Sequence, residues 1–159
     1  MLNILLAEDN RIDEVALVEY LKNNLGEFTS KTVPSCKDLI NILDGGELFD
    51  IIILDHILED EQSLKYIEKI IAKSQKAQII VLSGQSDISV CIQYLNSGVY
   101  AYLNKENNAF KNVVKNINEI VAKKEGGLKY IKINKWILIG GIGLIIVLVI
   151  AFFVLKSKN

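Results

Sequence analysis

The chain has 159 residues, half of them apolar, a mean hydropathy of +0.28 and a formal net charge of −1, which suits one domain with a short remainder. The charge is segregated: all 19 acidic residues lie in residues 1–125 against 13 basic ones, whereas residues 126–159 hold five lysines and no acid. An acidic head on a basic, apolar tail argues against a basic nucleic-acid-binding domain, and one histidine with two cysteines outside any CxxC spacing excludes a His/Cys zinc site.

Short apolar runs alternate with amphipathic stretches along the head. The N-terminus lacks a basic region and reaches Glu8 and Asp9 early, so it is not read as a signal peptide. Residues 3–7 (NILLA) read as a buried strand, and 11–24 follow with Ile12, Val15, Ala16 and Leu21 at helical spacing. Residues 31–33 (KTV) read as a short strand closed by Pro34. Residues 36–43 read as a helix stopped by Asp44-Gly45-Gly46. Residues 50–54 (DIIIL) and 78–82 (QIIVL) are continuous apolar runs, the pattern of parallel strands covered on both faces. Helices are expected at 62–73 and 87–96, the latter ending near Ser97-Gly98, and a fifth strand at 99–103 (VYAYL). The last helix, about 107–123, places Phe110, Val113, Val114, Ile117, Ile120 and Val121 on one face.

Five strands alternating with five helices imply an α/β fold, and right-handed crossovers restrict it to a doubly wound five-stranded parallel sheet. The flavodoxin-like order 2-1-3-4-5 is expected, with a ligand site at the carboxyl ends of strands 1 and 3.

The polar residues that follow the strands carry the chemistry. Strand 1 delivers Glu8 and Asp9, strand 3 Asp55, strand 4 Ser83, and strand 5 Lys105. Each has a plain structural reading. The Glu8-Asp9 pair favours a helix N-terminus, Asp55 starts a loop, Ser83-Gly84 makes a turn, and Lys105 is a solvated lysine. Together they read differently. Three converging carboxylates repel one another unless a cation sits among them, and a hard cation such as Mg2+ prefers oxygen ligands. No GxSxG, P-loop or GxGxxG fingerprint competes with this reading.

In LLAED, IIILD, IVLSG and YLNK, over about residues 1–123, the sequence resembles the receiver domain of two-component response regulators. The resemblance implies that Asp55 is the phosphoacceptor. Glu8, Asp9, Asp55 and the backbone carbonyl of Ile57 would hold Mg2+, Glu8 through water. Ser83 and Lys105 would bind phosphoryl oxygens, and Tyr102 matches the aromatic switch position beside Ser83. The family's usual proline four residues after the acceptor is Glu59 here, its usual glycine eight residues after is Ser63, and the residue after the lysine is Glu106 rather than proline. His56 is expected to turn away from Asp55, since adjacent residues leave a strand in opposite directions. Cys36 and Cys91 are expected to be packing residues of a reducing compartment.

Residues 136–155 (WILIGGIGLIIVLVIAFFVL) carry no charge and would span about 30 Å as a helix, the thickness of a bilayer core. The expected organisation is a receiver domain over 1–124, a basic linker over 125–135, a transmembrane helix over 136–155 and a short tail over 156–159. The lysine-rich linker places the receiver in the cytoplasm, at the cytoplasmic (inner) membrane, by the positive-inside rule. The expected function is a single-pass, membrane-tethered single-domain response regulator. Its partners are a histidine kinase or histidine phosphotransfer protein, the membrane and an unidentified downstream protein, with no nucleic acid. It is a signalling phosphoacceptor rather than a turnover enzyme, and it signals through the helix 4–strand 5–helix 5 face. The alternatives are a receiver-like scaffold that is never phosphorylated and a Mg2+-dependent phosphohydrolase. The latter typically has a second Asp two residues after the first, where this chain has Ile57.

Overall fold

The computed structural model describes residues 1–126 except positions 60, 75 and 107. The chain divides into two compact units, Met1–Asn118 and Glu119–Asn159. The described part of the second unit, residues 119–126, is helical. Residues 136–155, the expected membrane helix, lie outside the described residues. Among the described residues no helix is long and apolar enough to cross a membrane.

The first unit is an α/β sandwich. Its strands are β1 (Leu2–Ala7), β2 (Phe28–Val33), β3 (Ile51–Asp55), β4 (Gln78–Ser83) and β5 (Ala101–Asn104). They form one sheet in the order β2-β1-β3-β4-β5, with every neighbouring pair parallel, as the alternation of elements predicts. The helices are α1 (Arg11–Asn24), α2 (Cys36–Asp44), α3 (Ile67–Lys73), α4 (Ile88–Ser97) and α5, residues 109–118.

The apolar runs lie where two-sided cover requires them. All five residues of β3 are buried, and Ile4–Ala7 and Ile79–Ser83 are buried in the two strands beside it. β2 is an edge strand, and only Val33 of its six residues is buried. It begins at Phe28, earlier than the pattern of residues 31–33 predicts, because its outward positions Thr29, Ser30 and Lys31 are polar and exposed.

Local chemistry fixes the helix ends. The Asn10 side chain accepts from the Ile12 and Asp13 amides and starts α1. Ser35 accepts from the Asp38 amide at the start of α2, and Asp87 accepts from Ser89 at the start of α4. Such caps satisfy amides that have no partner within the helix. Gly98 ends α4 at φ 99°, the left-handed conformation that glycine adopts without a Cβ clash.

The segment after β3 departs from the expected helix over 62–73. Ile57–Leu58 pairs antiparallel with Glu61–Gln62, a 3-10 turn follows over Ser63–Tyr66, and only then does α3 begin. Glu59, at the tip of this small ladder, has φ 49°. Proline, fixed near −65°, could not occupy that conformation, so the loop as folded is incompatible with the family's usual proline at this position.

Candidate functional site

The sheet register sets the site. Ala7 pairs with Leu54, Leu54 with Val81, and Val81 with Tyr102. From this row the four strands run on to a common carboxyl edge, with Glu8 one position past Ala7, Asp55 one past Leu54, Ser83 two past Val81 and Lys105 three past Tyr102. Glu8 follows β1, Asp55 ends β3, Ser83 ends β4, and Lys105 follows β5.

Glu8, Asp9 and Asp55 each place a carboxylate oxygen within 4.8 Å of the others. Glu8 and Asp55 are buried and Asp9 is exposed. At such separations two carboxylates repel by ~4 kcal/mol at an effective dielectric of 20, so the cluster needs positive charge. Lys105 supplies some of it. Its Nζ lies 2.7 Å from Asp55 Oδ2, 2.9 Å from Glu8 Oε2 and 3.3 Å from Asp13 Oδ2. Burial works against the ammonium, but its hydrogen bonds to Asp55 and Glu8 prevail and raise its pKa. Burial pushes the Glu8 carboxyl up to about 7. The Lys105 hydrogen bond opposes this, and the Asp55 charge adds to it.

Backbone amides hold the remaining oxygens. The Asn10 amide donates to Glu8 Oε1 at 3.2 Å and the Glu59 amide to Asp9 Oδ2 at 3.0 Å. The Ile57 amide lies 3.4 Å from Asp55 Oδ1. Three convergent carboxylates, one of them exposed, form an all-oxygen donor set that fits a hard divalent cation. The backbone carbonyl of Ile57, two residues beyond Asp55, belongs to the same loop.

Ser83 is fully buried, and its hydroxyl accepts from the Gln85 amide at 3.0 Å, closing a turn. Tyr102 lies half-buried on β5, its ring centroid 5.5 Å from that of Tyr94 and its hydroxyl 3.4 Å from the Gln85 carbonyl. Cys36 is buried, and burial pushes its thiol up to about 12, leaving an unreactive packing residue.

Three residues absent from the sequence-level site are found around it. Asp13, in the first turn of α1, reaches Lys105. Ser63 and Tyr94 form a buried chain with His56: Ser63 Oγ bonds the Asp55 carbonyl at 2.7 Å and the Tyr94 hydroxyl at 2.8 Å, and His56 Nδ1 lies 2.9 Å from that hydroxyl. Burial lowers the His56 pKa, although the Asp55 charge and the Gln85 side chain both raise it.

A family model described as the response regulator receiver domain matches residues 4–118. No curated protein sequence matches the chain. Solved structures share the fold. A two-component response regulator from Clostridium difficile is 19% identical with a TM-score of 0.69, over 78% of this chain and 98% of that one. A response regulator receiver domain protein from Methanospirillum hungatei is 20% identical with a TM-score of 0.67, over 80% of this chain and 98% of that one. A response regulator from Burkholderia pseudomallei, solved with a phosphorylated aspartic acid, a calcium ion and citrate, is 23% identical with a TM-score of 0.64, over 78% of this chain and 73% of that one.

Proposed function

The chain belongs to the response regulator receiver family, and from that premise we propose that it is a membrane-tethered phosphoacceptor. Asp55 takes a phosphoryl group from a histidine kinase or histidine phosphotransfer protein. The observation that carries this reading is the Lys105 ammonium, within 2.9 Å of both Asp55 and Glu8 beside the carboxylate cluster. A cation in that position neutralises the acceptor at rest and turns to phosphoryl oxygens when they arrive. The phosphorylated aspartic acid and calcium ion of the Burkholderia pseudomallei protein are consistent with this chemistry.

In the reaction one Asp55 oxygen attacks the phosphorus of a phosphohistidine. The P–N bond breaks, its electron pair leaves with the imidazole, and an acyl phosphate forms on Asp55. Glu8 through water, Asp9, Asp55 and the Ile57 carbonyl would hold Mg2+, which would neutralise charge on the transferred group. Lys105 binds one phosphoryl oxygen. Ser83 exchanges its turn contact with Gln85 for another, and Tyr102 repacks in response. That repacking carries the signal to the face of α4, β5 and α5. Residues 136–155 anchor the receiver at the cytoplasmic membrane, supported by their 20 uncharged residues and the lysines of the linker.

The test is incubation of the full chain in mild detergent with acetyl phosphate, with and without Mg2+. A phosphate mass shift that needs Mg2+ and disappears in Asp55→Asn is expected. No shift with any donor would favour the scaffold reading, to which the acidic residues Glu59 and Glu61 on the acceptor loop lend some weight by repelling an anionic donor.

A further inference from the structure

Ser63 stands eight residues after Asp55 and is fully buried. Its two polar groups hold both peptide carbonyls at the end of β3: the hydroxyl donates to the Asp55 carbonyl at 2.7 Å, and the amide donates to the His56 carbonyl at 2.8 Å. The hydroxyl proton is therefore committed to Asp55. The remaining contacts acquire a direction from proton counting. Ser63 can only accept from Tyr94, 2.8 Å away, and Tyr94 can then only accept from His56 Nδ1, 2.9 Å away. Protons point one way along the chain, from His56 Nδ1 to Tyr94 to Ser63 to the Asp55 carbonyl. Burial pushes the Tyr94 phenol up to about 12, so it keeps the proton this direction requires. His56 Nε2, left as the unprotonated nitrogen, is buried and makes no hydrogen bond of good geometry, although the Gln85 side chain acts on the ring. Tyr94 lies on α4 and is fully buried, edge-on to His56 at 5.6 Å.

We propose that Ser63 and Tyr94 are positioning residues for the phosphoacceptor: through a one-way hydrogen-bonded chain they fix the Asp55 main chain and tie the acceptor loop to α4. The tie is separate from Ser83, whose hydroxyl faces Gln85. The hydroxyl fixes the Asp55–His56 peptide and the Ser63 amide fixes the His56–Ile57 peptide, so together they hold the mutual placement of the carboxylate and the Ile57 carbonyl, and loss of the hydroxyl frees the first of the two. A glycine at position 63 would keep the amide bond to His56 and lose the hydroxyl bonds to Asp55 and Tyr94. The proposal rests on the phosphoacceptor reading, and two of its three readouts do not require phosphorylation.

The experiment compares the full-length protein with Ser63→Ala, Tyr94→Phe and the double variant. The readouts are Mg2+ affinity by calorimetry, the acetyl phosphate phosphorylation rate, and the tautomer of His56 from imidazole 15N shifts. The chain has one histidine, so its signals need no assignment. The wild type is expected to show the Nδ1-protonated ring. In Ser63→Ala the Tyr94 hydroxyl is free to donate to Nδ1, and the proton should move to Nε2, a change that loosened packing alone would not produce. Ser63→Ala should weaken Mg2+ binding and slow phosphorylation about fivefold, the scale of one lost neutral hydrogen bond. The double variant should be no worse than Ser63→Ala, because both substitutions cut one chain. An Nε2-protonated wild type overturns the proposal, as does a tautomer that ignores Ser63→Ala or Mg2+ affinity unchanged in both single variants. If Ser63→Ala does not fold, unchanged Mg2+ affinity in Tyr94→Phe, which removes a single oxygen, overturns it alone. A wild type that binds Mg2+ but takes no phosphoryl group refutes the phosphoacceptor reading and leaves the positioning claim to the other two readouts. A wild type that binds no Mg2+ refutes both.

Discussion

Glu8 and Lys105 show how a buried charge cluster is balanced, and each gives a measurable consequence. The Glu8 carboxyl titrates near 4.5 when solvated and about 7 in the fold. Between those values the folded protein holds a proton that the unfolded chain has released. The stabilisation is present in full at the acid end of this window and is lost as pH rises through about 7. Without Mg2+, the thermal midpoint should therefore fall from pH 5 to pH 7, and Glu8→Gln should flatten that slope. Mg2+ competes with the same proton, so its apparent affinity should rise roughly tenfold between pH 6 and pH 8, read by calorimetry. Lys105→Met removes the ammonium from beside Asp55 and Glu8. It should destabilise the metal-free protein by roughly 1–2 kcal/mol at pH 8, less than a fully buried pair because the lysine side chain is 25% exposed. Saturating Mg2+ should restore most of the loss, and urea melts with and without Mg2+ would measure it. Restoration by Na+ at equal ionic strength would show that screening, not binding, was responsible. Glu8, Asp9, Asp55, Ser83 and Lys105 were legible in the sequence because each ends a strand or lies within two positions of its carboxyl end. Asp13, Ser63 and Tyr94 were not. They reach the site from α1, a 3-10 turn and α4, and Tyr94 meets Ser63 across 31 positions of sequence, a contact that no local periodicity encodes.

At the scale of elements, legibility followed burial and punctuation. β3 and β4 were plain because both faces are covered, leaving uninterrupted apolar runs, whereas β2 hid its first half behind an exposed polar edge. The helix predicted over 62–73 is a ladder, a 3-10 turn and a short α3. A hydrophobic pattern alone does not separate 3-10 from α winding over one turn. The stop of α4 is legible in Ser97-Gly98 and can be tested by substitution. Gly98 has φ 99° with open space where a Cβ would stand, so Gly98→Ala loses stability through backbone strain and not through a clash. The expected cost is about 1–2 kcal/mol, measured by urea denaturation. Gly26 has equally open surroundings and no positive φ, so Gly26→Ala should be close to neutral. Equal losses at both positions would mean that strain at Gly98 is not the cause.

For the whole molecule, the segregation of charge bears on where the head resides. Residues 123–135 contain Lys123, Lys124, Lys129, Lys132 and Lys135, while Lys156 and Lys158 follow the apolar run. Lysines near the ends of a membrane helix favour the cytoplasmic side in proportion to their number. On the proposed reading of residues 136–155 as a membrane helix, five lysines against two predict a cytoplasmic receiver, on the side where a phosphohistidine donor and Mg2+ would be at hand. The orientation can be read with thiols. In a Cys36→Ser, Cys91→Ser background, Ser157→Cys should react with a membrane-impermeant maleimide on intact cells, with any outer membrane permeabilised. In the unaltered protein, Cys36 is buried and reports poorly, so the partly exposed Cys91 is the reporter for the head. It should stay unlabelled until the cells are lysed. Labelling of Cys91 on intact cells with a silent Ser157→Cys would invert the topology, and with it the cytoplasmic signalling role would fail. Extraction of the protein by alkaline carbonate would remove the membrane helix altogether, leaving residues 136–155 to be explained as an apolar surface that binds another protein.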